Sequence, residues 1–130
     1  MTIPVRPRDA ASLVLHRMRD GVPEVLVGLR HRRHKFMPET WVFPGGRVDP
    51  GDYGVAVATD LREEVAARLM RHTTRARAKA LAVAAVRETY EEAGLMLGAP
   101  ASPPKGPVGE HWRGFLDRGL APALDALDVL

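Results

Sequence analysis

Glu88, Glu91 and Glu92 are the residues of this sequence best suited to chemistry, and they stand in a stretch, residues 87–95, that reads Arg-Glu-Thr-Tyr-Glu-Glu-Ala-Gly-Leu. On a helix, positions i, i+3 and i+4 share one face, so the three carboxylates would crowd together. Like charges at that spacing repel, and the arrangement costs helix stability unless a cation neutralises it. Hard divalent ions such as Mg²⁺ take oxygen ligands, commonly one or two carboxylates with water and substrate phosphates. A metal site acting on a phosphate is one reading of the cluster. A solvated acidic helix face is the other, and for an isolated glutamate-rich turn it is the better one.

The segment upstream changes that balance. Trp41, Val42 and Phe43 form a short apolar run, followed by Pro44-Gly45-Gly46-Arg47-Val48-Asp49-Pro50-Gly51-Asp52. Paired glycines let a backbone approach a ligand closely and expose its amides and carbonyls. Taken together the two segments resemble the Nudix box, G-x5-E-x7-R-E-U-x-E-E-x-G-U, with U a bulky aliphatic residue. Gly46 stands at the first glycine and Asp52 at the first glutamate; Arg87, Glu88, Glu91, Glu92, Gly94 and Leu95 complete the pattern. Thr89 departs mildly from the aliphatic preference.

One departure is large. Asp52 and Arg87 are separated by 34 residues, where the box has seven, so an insertion is expected over about residues 53–79. Within it, residues 55–70 carry Val57, Leu61, Val65 and Leu69 at four-residue spacing, which predicts an amphipathic helix. Residues 71–75 read as the turn before a second helix, with Thr73 or Thr74 as N-cap. Arg62-Glu63-Glu64 imitates the motif but lacks its continuation and reads as solvated helix surface. Insertions in the box occur in the branch that includes peroxisomal coenzyme A diphosphatases, and Lys35-Phe36-Met37-Pro38 ahead of Trp41 is similar to that branch as well.

The elements that must position these residues follow an α/β (α+β) order. Residues 10–15 and 24–29 read as two strands around the turn Asp20-Gly21-Val22-Pro23, and residues 41–43 as a third, ended by Pro44 and the glycines. A helix over about residues 75–93 would carry Val83, Val86, Tyr90 and Ala93 opposite the glutamates, packed on the sheet. Gly94 suits a left-handed helix end. Residues 99–107 hold four prolines and read as loop. Residues 111–118 suggest a short helix with Trp112 and Phe115, and residues 123–130 begin another helical pattern. The Nudix resemblance implies one domain over residues 1–130, a mixed sheet sandwiched by helices. Nothing after Leu97 reads as a long strand, so the C-terminal part looks incomplete, and a truncated chain or self-association as a homodimer is expected.

With 130 residues the chain can bury a single core. It has no cysteine, which excludes disulfides, thiolate chemistry and cysteine-bound zinc. No apolar run approaches the roughly 20 residues of a membrane span, and no signal core opens the sequence; a cytoplasmic location is expected. The net charge of +3 comes mostly from arginine, which pairs with polyanions. Arg30-His31-Arg32-Arg33-His34-Lys35 is either a solvated basic loop or a binding segment for diphosphate, through Arg30, Arg32 and Lys35. Nucleic acid is disfavoured, since no aromatic residue interrupts the basic run to stack on bases.

The resemblance implies a hydrolase for diphosphate (acid anhydride) bonds, acting on a nucleoside diphosphate linked to another moiety, coenzyme A among them. Glu91 and Glu92 would bind Mg²⁺ or Mn²⁺, with a carbonyl of Gly45 or Gly46. Glu88 would be a further ligand or help deprotonate the attacking water, and Arg87 would orient the glutamates. A module of the same fold that binds a nucleotide without turning it over is the alternative.

Overall fold

The computed structural model describes residues 3–29 and 39–130. The N-terminal half is built from strands β1 (Ala10–Ser12), β2 (His16–Arg19), β3 (Val22–Val25), β4 (Gly28–Leu29), β5 (Trp41–Val42) and β6 (Gly45–Arg47). Helices α1 (Glu63–Leu69) and α2 (Arg75–Ala93) follow, then β7 (Gly98–Pro100), α3 (Glu110–Leu116) and β8 (Leu120–Pro122). The α/β class is as expected, but the strands of the described residues do not join into one mixed sheet. Among the described residues they pair as four antiparallel ribbons, β1–β6, β2–β3, β4–β5 and β7–β8.

The β2–β3 hairpin turns on Asp20 and Gly21 alone, with φ of 50° and 77°. Positive φ at both central residues is what the twist of a two-residue hairpin demands. Val22 and Pro23, expected in the turn, therefore join β3. The glycines do not end the third strand either. Pro44, which cannot donate, closes β5, and Gly45–Arg47 resumes as β6 against β1. That pairing extends at both ends, through Leu13 N–H to the Pro44 carbonyl at 2.8 Å and Val48 N–H to the Asp9 carbonyl at 2.9 Å.

Helix α2 is the centre of the molecule. Thr74 caps it by accepting from the Arg77 amide, and Gly94 ends it at φ 69°. Its alanines, Ala78, Ala80, Ala82, Ala84 and Ala85, are buried on several sides, as befits a helix whose middle is covered by neighbours. One side packs against β1 and β6, the other against α1 and α3. Val83 and Val86 are fully buried, though not on a sheet: they join Val65, Trp112, Phe115 and Leu124 in the apolar core. Full burial of such side chains contributes about 1.5–3 kcal/mol each. Tyr90 meets Phe115 edge-on at 5.5 Å, whereas Ala93, expected in the core, is exposed.

Two expectations fail between the box segments and at the C-terminus. The helix expected over residues 55–70 begins only at Glu63. The preceding stretch runs extended because its backbone finds partners elsewhere: Ala58 N–H donates to the Pro122 carbonyl at 2.8 Å, and the Thr59 carbonyl accepts from Leu124 at 3.0 Å. Val55 and Leu61 still reach the core from that extended backbone. The C-terminal part forms β7, α3 and β8, with α3 packed on α2 and β8. Ala99 and Pro100 belong to β7 rather than to a loop. Residues 123–130 form no helix beyond a single 3-10 turn at Leu124–Ala126.

Candidate active site

Arg87 is the node on which the site is built, and it is only 3% exposed. Its Nε and one terminal nitrogen grip Asp52 from both sides, at 2.9 Å to Oδ1 and 3.1 Å to Oδ2. The other terminal nitrogen donates to Glu88 Oε1 at 3.0 Å and Glu91 Oε2 at 3.1 Å. A fifth bond runs to the Arg47 carbonyl in β6 at 2.8 Å. A guanidinium has five N–H donors, and all five are used. Burial works against its charge, but the hydrogen bonds and charges of Asp52, Glu88 and Glu91 outweigh that and raise the Arg87 pKa above the ordinary arginine value.

Asp52, 2% exposed, is equally saturated. Besides Arg87, its Oδ1 accepts from the Trp112 indole N–H at 2.8 Å and its Oδ2 from the Asp49 amide at 2.8 Å. The last bond is half of a capping box on the 3-10 turn Pro50–Tyr53; Asp49 returns it by accepting from Gly51 N–H. Asp-Pro-Gly-Asp, with acids three residues apart and proline between them, is a legible capping signal that a reading of this stretch as turn and glycine loop passes over. The 34-residue separation therefore does not keep Asp52 from Arg87.

Gly46 lies against the same cluster. A Cβ there would fall 2.5 Å from the Glu88 carboxyl carbon, and one at Gly45 would fall 2.5 Å from the Ala11 carbonyl oxygen. Only residues without side chains let β6 lie this close to both β1 and α2. Glu92 is exposed one position beyond Glu91. Arg30, Arg32 and Lys35 lie outside the described residues. Among the described residues, no three His, Asp or Glu side chains converge to hold a metal ion. Arg87 supplies positive charge to both Glu88 and Glu91.

Two contacts come from α3, where the sequence offers no sign of a site. Trp112 reaches Asp52 across 60 residues. Beside it, His111 Nδ1 lies 3.1 Å from Glu91 Oε1, and its Nε2 lies 3.8 Å from Asp49. Tertiary packing alone brings them together. A cleft of about 440 Å³ opens beside the 3-10 turn, between Pro50, Val55 and Val57 on one wall and Lys105 and Val108 on the other, with Leu116 within.

The chain is similar to the crystal structure of a Nudix hydrolase from Alicyclobacillus acidocaldarius, at 31% sequence identity and a TM-score of 0.63 over 93% of this chain. It spans 59% of that protein's length. No protein-family model matches the chain, and no curated protein does. In overall fold the chain thus resembles that Nudix hydrolase.

Proposed function

We propose that this chain is a single-domain hydrolase, over residues 1–130, that cleaves the diphosphate bond of a nucleoside diphosphate linked to another moiety. The observation that carries the reading is the Arg87 node, which holds Glu88 and Glu91 beside Gly46 while Asp52 anchors it from below. The donors are all oxygen, from carboxylates and a glycine backbone, which fits Mg²⁺ or Mn²⁺ and not a thiophilic metal. One buried cation faces several carboxylates, so the cluster keeps an excess of negative charge that a divalent ion would offset. Glu88, Glu91 and Glu92 would hold the ion with a carbonyl of Gly46. Bound there, it supplies charge that stabilises the phosphoryl oxygens and makes a water more acidic.

The chain's own residues do the rest. Arg87 fixes the carboxylates without touching substrate. Because Arg87 holds Glu88 at Oε1, Glu88 Oε2 is the atom left to accept a proton from the attacking water. Gly45 and Gly46 hold β6 against β1 and Glu88, and a backbone without side chains would let a diphosphate approach. Arg30, Arg32 and Lys35 would bind its phosphates. The cleft beside the 3-10 turn has room for the non-phosphate moiety, and its apolar walls suit a coenzyme A or acyl-coenzyme A chain. No helix of the described residues is long and apolar enough to cross a membrane, and a cytoplasmic location suits a small-molecule hydrolase of this composition.

A hydrolysis screen with Mg²⁺ over coenzyme A, acyl-coenzyme A, dinucleotides, nucleotide sugars and nucleoside triphosphates tests the reading. Cleavage at a diphosphate bond is expected, and Glu92→Gln should lower turnover by orders of magnitude with the unfolding midpoint unchanged. An unaffected Glu92→Gln enzyme would remove the metal assignment. A second reading, a module that binds the nucleotide without cleaving it, is favoured by one observation: among the described residues no three acidic or histidine side chains converge on a common metal position. Nucleotide binding without turnover in the same screen would establish it.

A further inference from the structure

We propose that His111 is a positioning residue for Glu91, acting from α3 on a carboxylate that α2 carries. This rests on the metal-binding reading above and extends it to the half of the chain outside the box. Glu91 is held from two directions: Arg87 donates to Oε2 at 3.1 Å, and His111 Nδ1 lies 3.1 Å from Oε1. An ionised carboxylate only accepts, so the bond requires a hydrogen on Nδ1, which the charged ring and one of the two neutral tautomers carry. Arg87 alone would leave the Glu91 carboxylate free to swing about one bond, since the side chain is a third exposed. The second bond from His111 fixes the plane of the carboxylate and with it the direction of its remaining lone pairs.

His111 is well placed for the task. It sits in the first turn of α3, next to Trp112, whose indole is anchored on Asp52 at 2.8 Å and 1% exposed. The backbone beneath His111 is thus tied to the same node that holds Glu91. The ring itself is more than half exposed, so replacing it removes the bond without opening the core. Outer partners of this kind commonly change metal affinity or activity by about 10- to 100-fold when removed.

The test uses the full chain and Mn²⁺ alone, with free Mn²⁺ followed by electron paramagnetic resonance. His111→Ala should bind Mn²⁺ about 10-fold more weakly than the parent, with an unchanged unfolding midpoint. His111→Asn places an amide N–H near the position of Nδ1 and should recover most of the affinity. In turnover assays the same variants should shift the Mn²⁺ activation constant more than the KM for substrate. Equal or tighter binding by His111→Ala, or no recovery in His111→Asn, overturns the proposal while leaving the metal site standing. A parent chain that binds no Mn²⁺ overturns both.

Discussion

Arg17 and Arg87 each hold a carboxylate at nearly the same distance, 2.7 Å to Glu24 and 2.9 Å to Asp52. The first pair spans the β2–β3 hairpin with the Arg17 side chain 69% exposed; in the second, Arg87 is 4% exposed and Asp52 is fully covered. In water the attraction is screened and ordering two long side chains offsets it. In the interior both charges have given up hydration, and each exists only because the other is there. The contrast extends to the regions around the pairs. All residues of the buried apolar cluster lie at or beyond Val55, while Met18, Val22, Val25, Leu29 and Trp41 on the ribbons are exposed. Contact length says little about what a contact does for the fold; burial decides it.

The contrast should be plainest in Asp52→Ala. It takes from Arg87 its fully covered carboxylate partner, leaving only the less buried Glu88 and Glu91 to offset the charge, and a loss of about 3–5 kcal/mol in urea unfolding is expected. A loss under 1 kcal/mol would place Asp52 on the same footing as Glu24. Trp112→Phe keeps an edge-on ring contact with Phe115, 5.2 Å away, but takes one donor from Asp52. The same titration should read a loss of about 1–3 kcal/mol for an acceptor left short inside the protein. Glu24→Ala, by comparison, should move stability by no more than about 1 kcal/mol, and the shift should shrink further in high salt.

A third pair gives the smallest effect and a pH signature. Asp9 accepts from Arg77 at 2.7 Å, and that hydrogen bond holds its pKa below the ordinary 3.8. A carboxylate whose pKa is lower folded than unfolded stabilises the fold above the unfolded value, and loses that contribution as pH falls through the folded one. The difference in melting midpoint between the parent and Asp9→Asn should therefore be constant well above the ordinary carboxylate value of 3.8 and fade as pH falls through the lowered folded one. A difference that persists in acid would show that packing, not charge, joins these residues.

How far the sequence could be read divides along similar lines. Helix α2 is legible to both ends because its signals are local: Thr74 accepts from its own first turn, and Gly94 takes the left-handed conformation. The fold class follows from alternating apolar runs and glycine turns. Residues 55–62 mislead because valines and leucines at four-residue spacing fit a helix and an extended strand flank alike, and only the partners at Pro122 and Leu124 decide. The proximity of Gly46 to Glu88 could be anticipated from the box, which relates them by spacing. Trp112 and His111 could not, since no pattern links a tryptophan and a histidine to an aspartate and a glutamate on other elements.

Joining Asp52 to Arg87 closes a loop of the chain, and the length of that loop has its own thermodynamics. Closure entropy grows only with the logarithm of length, so 34 residues in place of seven cost about 1.4 kcal/mol more to close. That is less than a buried ion pair is expected to hold. Residues between the two ends also return part of the cost, since Val55, Leu61 and Val65 enter the core. The junction is therefore indifferent to how much polypeptide hangs between its halves, and this stretch is where a chain of this kind can gain or lose length while its carboxylates stay where they are.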